Sequence, residues 1–135
     1  MMRYINKKYK LARKENYDPY LRTMKFNLFT RKISSVQKPI IRLQERDGKY
    51  VFETFSILGD TSVVFRPGVS FDEILLDGTP AKSVIEFEDN KMIYMISTAG
   101  AQVKYVYEFS DKEVNVTLTC NDIVCTMVYT RMIEK

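Results

Sequence analysis

Ile123–Met132, I-V-C-T-M-V-Y-T-R-M, decides the fold. The run alternates. Cys125, Met127 and Tyr129 share one face, and Thr126, Val128 and Thr130 share the other. A two-residue period marks a strand with one buried face, because successive side chains of an extended chain point to opposite sides. Asn121-Asp122 separates this run from Glu113–Cys120, so the two strands form a tight hairpin. Such a hairpin pairs Cys120 with Ile123 and not with Cys125. Both cysteines are therefore expected as reduced thiols, as suits a reducing compartment.

Upstream, turn signals recur roughly every ten residues. Asp47-Gly48, Gly59-Asp60, Pro67-Gly68, Asp77-Gly78, Asp89-Asn90, Ala99-Gly100 and Asp111-Lys112 punctuate the chain. Between them the pattern predicts strands at Ile40–Glu45, Lys49–Leu58, Thr61–Arg66, Val69–Leu75, Pro80–Glu88, Lys91–Ser97, Gln102–Phe109 and Glu113–Cys120. A first strand falls within Lys7–Lys14. About ten antiparallel strands at this spacing make an up-and-down barrel or a sandwich, and the pattern leaves that choice open. No internal repeat, low-complexity stretch or linker interrupts them.

Only the segment from Asn16 to Lys38 has a different texture. Asn16 is placed to cap a helix whose apolar positions are Tyr17, Tyr20, Leu21 and Met24, with Pro19 in its first turn. Asn27 is placed to cap a second, with Phe29, Ile33 and Val36 on one face. That helix should stop near Lys38, because Pro39 disfavours helix at the residue before it. Two short amphipathic helices suit a lid as well as a DNA reader.

The chain has 135 residues and is 45% hydrophobic, which fits one folded domain and excludes a disordered chain. No apolar run approaches the roughly 18 residues of a membrane span, and Met1–Lys8 lacks the apolar core of a secretory signal. The net charge of +4 serves solubility or a mild attraction to anionic membranes. There is no histidine, which excludes a Ser-His-Asp triad and a histidine metal site. The cysteines have no base or metal-ligand company. Asp72-Glu73 and Glu86–Asp89 read as solvated turn or strand-end charges. The glycines are scattered singly, so no phosphate loop exists. The basic residues are not interleaved with aromatics on one strand face, so nucleic acid is not an expected partner. No enzymatic activity, cofactor or metal is expected.

Several motifs, in order over essentially the whole chain, resemble those of the intracellular lipid-binding proteins (fatty-acid-binding and cellular retinoid-binding proteins). Lys8-Tyr9-Lys10-Leu11, Glu15-Asn16-Tyr17-Asp18 and Tyr20-Leu21 are similar to that family's G-x-W-K-L…E-N-F-D…Y-L/M, with Tyr9 for Trp and Lys7 for Gly. Thr30-Arg31-Lys32, Lys38-Pro39 and Phe71-Asp72-Glu73 recur at the family's spacing. The closing run resembles V-C-T-Arg-x-Tyr through Val124-Cys125-Thr126 and Tyr129. The resemblance implies an all-β fold: a ten-stranded antiparallel up-and-down β-barrel (β-clam) with a helix-turn-helix lid over about residues 16–37, one domain spanning 1–135, enclosing a lipid-sized cavity.

Alternation and the resemblance together propose the cavity lining. The lid would give Tyr17, Tyr20, Leu21, Phe26, Thr30 and Ser34. The barrel would give Pro39, Thr54, Ser56, Leu58, Leu76, Asp77, Tyr107, Met127 and Tyr129. In fatty-acid and retinoic-acid binders of this family, two inner arginines and the Tyr hold the ligand carboxylate; retinol binders carry Gln at the arginine positions. Here the Arg of the last strand is Met127. The second Arg is Tyr107 in an ungapped alignment and Tyr105 in a gapped one, while Lys104 should face solvent. The implied function is non-covalent carriage of a fatty acid or retinoid-like lipid by a cytoplasmic monomer, with an uncharged head group favoured. Arg22, Arg31 and Lys32 match lid positions that form a nuclear-import signal in some members. Together with Lys25, and with Lys8, Lys10, Arg13 and Lys14 before the lid, they would form a basic surface for transient contact with anionic membranes. The competing expectation is a structural protein that bridges or clusters anionic bilayers.

Overall fold

The computed structural model describes residues 2–15, 38–57, 59–75, 78–120 and 123–133. The two expected lid helices lie outside the described residues, as do Leu58, Leu76, Asp77 and the Asn121-Asp122 turn. A 3-10 turn at Met2–Tyr4 precedes ten strands: β1 Lys8–Glu15, β2 Ile40–Arg46, β3 Lys49–Phe55, β4 Thr61–Phe65, β5 Phe71–Ile74, β6 Pro80–Glu88, β7 Lys91–Ser97, β8 Gln102–Phe109, β9 Glu113–Cys120 and β10 Ile123–Arg131.

All ten belong to one sheet, in the order β4-β3-β2-β1-β10-β9-β8-β7-β6-β5. Sequence neighbours pair antiparallel, and β10 returns to pair with β1. One continuous sheet, not two, resolves the choice between barrel and sandwich. Its inner face forms a single apolar cluster that includes Tyr9, Ile41, Phe52, Phe65, Ile85, Met92, Tyr107, Val116 and Met127. Rings from distant strands meet across the interior: Phe52 of β3 packs edge-on against Tyr107 of β8 at 5.1 Å, and Tyr50 of β3 against Phe87 of β6 at 4.8 Å. The sheet is therefore curled into a nearly closed barrel. A seam remains between β4 and β5, which sit at the two ends of the strand order.

The N-terminal turn plugs one end of the barrel. Tyr4 stacks on Phe109 at 5.7 Å, Tyr9 meets the same ring edge-on at 5.9 Å, and Arg3 pairs with Asp111 at 2.9 Å. The ion pair is solvated and adds little; the aromatic burial closes the end. Glu15, the last residue of β1, lies at the opposite end.

Turn chemistry sets the strand limits. Asp47 and Gly48 both have positive φ, 52° and 80°, as a two-residue hairpin turn with the twist of its strands requires. A Cβ at Gly48 would touch nothing, so backbone conformation and not space calls for glycine there. β3 ends at Phe55 rather than at the expected Leu58 because Ser56 turns the chain. Its hydroxyl donates to Gly59 O at 2.9 Å, and its N–H donates to Asp60 Oδ1 at 3.2 Å. β5 is shorter than expected, beginning at Phe71 and not Val69.

One irregularity matters for the interior. Leu11 opposes Tyr129, but Arg13 opposes Val128 and Lys14 opposes Met127. Ala12 is thus an extra residue, a β-bulge that shifts the alternation of β1. Arg13 stays outside and exposed, while Lys14 turns to the face of Met127 and becomes half-buried. Lys14 therefore leaves the basic outer surface on which the sequence had placed it.

Candidate functional site: the barrel interior

The closing strand behaves as its alternation requires. Cys125, Met127 and Tyr129 are buried, while Thr126 and Thr130 are exposed. Their cross-strand partners build three inward rows. Tyr105, Leu118 and Cys125 form one row over β8, β9 and β10. Tyr107, Val116, Met127 and Lys14 form the next, over β8, β9, β10 and β1. Phe109, Val114, Tyr129 and Leu11 form the third, nearest the plugged end.

Tyr105 and Tyr107 both face inward, their rings stacked at 5.8 Å and 9°. Tyr107 and Met127 flank Val116 at one height, so the two side chains at the ungapped arginine positions are near neighbours in a mostly apolar row. Lys104 is exposed, as expected. The aromatic surface continues through Tyr94, 6.0 Å from Tyr105, to Phe71, 6.4 Å from Tyr94.

The remaining proposed lining residues divide. Thr54 pairs with Ile41 and Thr61 on the inner face and is half-buried. Ser56 belongs to the β3–β4 turn. Pro39 accepts a hydrogen bond from Leu11 N–H at 2.9 Å, where β2 begins. Leu58, Leu76, Asp77 and the lid residues Tyr17, Tyr20, Leu21, Phe26, Thr30 and Ser34 lie outside the described residues, as do Arg22, Lys25, Arg31 and Lys32.

Two inward polar features went unpredicted. Lys14 is the first: burial lowers its pKa, partly offset by the nearby Cys125. Burial in turn pushes the Cys125 thiol up to about 11, Lys14 opposing it, and raises Cys120 as well. Neither cysteine is in a disulfide, and both are fully buried. Protonated, buried thiols are poor nucleophiles at neutral pH. The second is a cluster on β5–β7. Glu73, expected as a solvated charge, accepts a hydrogen bond from Tyr94 OH at 2.5 Å, while its neighbour Asp72 is exposed. Ser83 lies buried beside them. Parity in Pro80–Glu88 already put Ser83 with Ala81 and Ile85. Nothing in the sequence gave the bond from β5 to β7, which crosses over β6.

Exposed apolar side chains border the seam: Ile57 after β3, Val64 on β4, Val69 in the β4–β5 connection and Ile74 on β5. Among the described residues, no group of acidic or cysteine side chains could hold a metal ion.

A barrel with a largely apolar floor, aromatic walls and, among the described residues, few interior polar groups is the architecture of a protein that encloses a lipid. Comparison with known proteins agrees. No family profile matches the chain. Cellular retinoic acid-binding protein 2 of human is 30% identical over 130 residues, covering 91% of this chain and 94% of that protein. The rat protein of the same name is 32% identical over 131 residues, with the same coverage. Among solved structures, a fatty-acid-binding protein of Drosophila melanogaster brain tissue superposes with a TM-score of 0.89 at 33% identity, covering 94% of this chain and 98% of that one. A Schistosoma mansoni fatty-acid-binding protein in complex with arachidonic acid shares the fold, with a TM-score of 0.91 at 24% identity and 96% coverage of both chains. The chain belongs to the intracellular lipid-binding protein family.

Proposed function

We propose that this protein carries one long-chain hydrophobic ligand, bound non-covalently in the barrel, and that it favours an uncharged head group over a carboxylate. The row Tyr107–Val116–Met127 carries this reading: it is buried, faces inward and holds no arginine. Enclosing a lipid chain gains about 0.8 kcal/mol per buried CH₂, less the cost of ordering the ligand. A buried carboxylate without a cationic partner costs several kcal/mol by order of magnitude. Tyr129 would donate a hydrogen bond but no charge. Lys14 stands in the Met127 row, yet its burial already disfavours the ammonium form. An acid would therefore meet one weakened cation where acid binders of the family offer two arginines.

The relatives' names speak for lipid carriage: retinoic acid for the human and rat proteins, fatty acid for the Drosophila and Schistosoma ones. This chain keeps the barrel and departs at the head-group positions. It has no histidine, the described residues form no catalytic constellation, and its buried free thiols fit a reducing, cytoplasmic compartment. Nuclear import through Arg22, Arg31 and Lys32, and transient docking on anionic membranes, belong to the same proposal.

The test is displacement of a fluorescent probe by a fatty alcohol and its acid, and by a retinoid alcohol and its acid. Alcohols should bind at least as tightly as acids. A strong preference for acids that vanishes at high salt would overturn the head-group reading. The exposed apolar residues at the seam favour one alternative, a protein that bridges bilayers. Strong clustering of anionic liposomes with no lipid uptake would select it.

A further inference from the structure

The wall formed by β5, β6 and β7 holds a cluster of inward polar groups: Glu73, Ser83 and Tyr94. Glu73 sits on the inner face, opposite the buried Ala81. Its carboxylate accepts a hydrogen bond from Tyr94 OH at 2.5 Å. Tyr94 is 6% exposed, and burial together with Glu73 pushes its pKa far up, so it remains a phenol. Ser83, between Phe71 and Ile96 in the ladder, is 2% exposed. Its hydroxyl lies near enough to Tyr94 to offset that rise slightly, but makes no bond of proper geometry among the described residues.

A buried hydroxyl without a partner costs free energy, and a native barrel that keeps one calls for an explanation. Here the inventory of unused valences supplies it. The second oxygen of Glu73 can accept. The Tyr94 oxygen has donated its proton and can only accept. The Ser83 proton has the Tyr94 oxygen nearby but makes no bond of good geometry to it, so a better-placed acceptor would draw it away. The group that completes this set must both donate, to Glu73, and accept, from Ser83. A primary alcohol does both. A carboxylate would meet the Glu73 charge with one donor to hold it. An ether or ester would accept from Ser83 and bury Glu73 without a donor.

We propose that Glu73, Tyr94 and Ser83 form a head-group site for a long-chain alcohol, on the barrel wall and apart from the Tyr107–Met127 row. This deepens the uncharged-ligand reading and rests on it. The ligand hydroxyl donates to Glu73 and accepts from Ser83, while Tyr94 holds the carboxylate in place.

The experiment uses the delipidated full chain and a fluorescent lipid probe displaced by a saturated long-chain alcohol, its methyl ether and the acid of equal length. The alcohol should bind about tenfold more tightly than the ether, the worth of one or two hydrogen bonds. Ser83→Ala should lower alcohol affinity about fivefold to tenfold and weaken the ether with it, since both oxygens accept from Ser83, without lowering the unfolding midpoint of the empty protein. Glu73→Gln removes the charge and should raise acid affinity relative to the alcohol by about tenfold. Equal binding of alcohol and ether, or a Ser83→Ala variant that binds all three ligands as the parent does, would overturn the site while leaving lipid carriage intact. Equal weakening of all three by Glu73→Gln would reduce Glu73 to a strap between β5 and β7 and overturn it too. If none of the three displaces the probe, the carrier reading itself fails.

Discussion

Restoring an arginine at Met127 tests the head-group argument quantitatively. Met127 is 6% exposed and lies between Val116 and Lys14 in the ladder. A guanidinium there would offer an acid ligand a charge-assisted hydrogen bond, worth about 1.5–3 kcal/mol, or about tenfold to a hundredfold in affinity. The empty protein should be less stable. Two unit charges about 6 Å apart at an effective dielectric constant of about 20 repel by about 3 kcal/mol, and Lys14 stands opposite. Desolvation of the guanidinium adds to that. Met127→Arg should therefore raise fatty-acid affinity at least tenfold in probe displacement, leave fatty-alcohol affinity unchanged or lower, and move the urea midpoint of the empty protein down. Lys14→Met in the same chain should recover much of the lost stability. An unchanged acid affinity in a folded Met127→Arg variant would refute the claim that this row decides head-group charge.

Three further outcomes follow from the interior. Burial depresses the Lys14 pKa, so the folded state binds fewer protons than the unfolded chain just below pH 10.5, and Lys14's share of stability rises as pH climbs through that window. Lys14→Met should be more stable than the parent at neutral pH and lack this rise, as chemical denaturation across pH will show; equal stability at all pH values would contradict the inward placement. The Cys125 thiol moves the other way: raised from 9.0 to about 11, it contributes stability that is full below pH 9 and lost toward pH 11. The loss is at most about 2–3 kcal/mol, and Cys125→Ala should flatten it. Both cysteines should resist a thiol reagent in the folded protein and react on unfolding; rapid labelling of the native chain would be inconsistent with their burial. Lys25, Arg31 and Lys32 changed together to Glu should slow ligand transfer to anionic vesicles far more than they change affinity. A transfer rate independent of vesicle concentration would remove membrane docking.

The strands from β6 to β9 were legible to the residue because turn residues separate them: Gly78 and Asp89 have positive φ, and the Thr98 and Ser110 hydroxyls close the next two turns by donating to Ala101 O and Glu113 O. β10 was legible from alternation, which also gave the inward set Cys125, Met127 and Tyr129. The overrun of β3 came from reading Ser56 as strand, when its hydroxyl and N–H are committed to the Gly59-Asp60 turn. Lys14 was misplaced for a different reason. A bulge changes register through the backbone, and Ala12 carries no mark of it, so strict alternation beyond Leu11 puts every later residue on the wrong face. Glu73 was misjudged because Phe71–Ile74 is too short to show a period, and because its partner Tyr94 is brought near only by the curl of the sheet. The Tyr107–Met127 row was visible only as two separate substitutions; the ladder through Val116 makes it one feature.

The most direct test of the account is native mass spectrometry of the purified chain, with the released ligand identified after extraction. The account predicts one lipid per chain, lost on gentle activation to leave the unmodified protein mass, and a head group without a carboxylate. A chain that arrives bare and remains bare after incubation with long-chain alcohols, retinoids and fatty acids would contradict it.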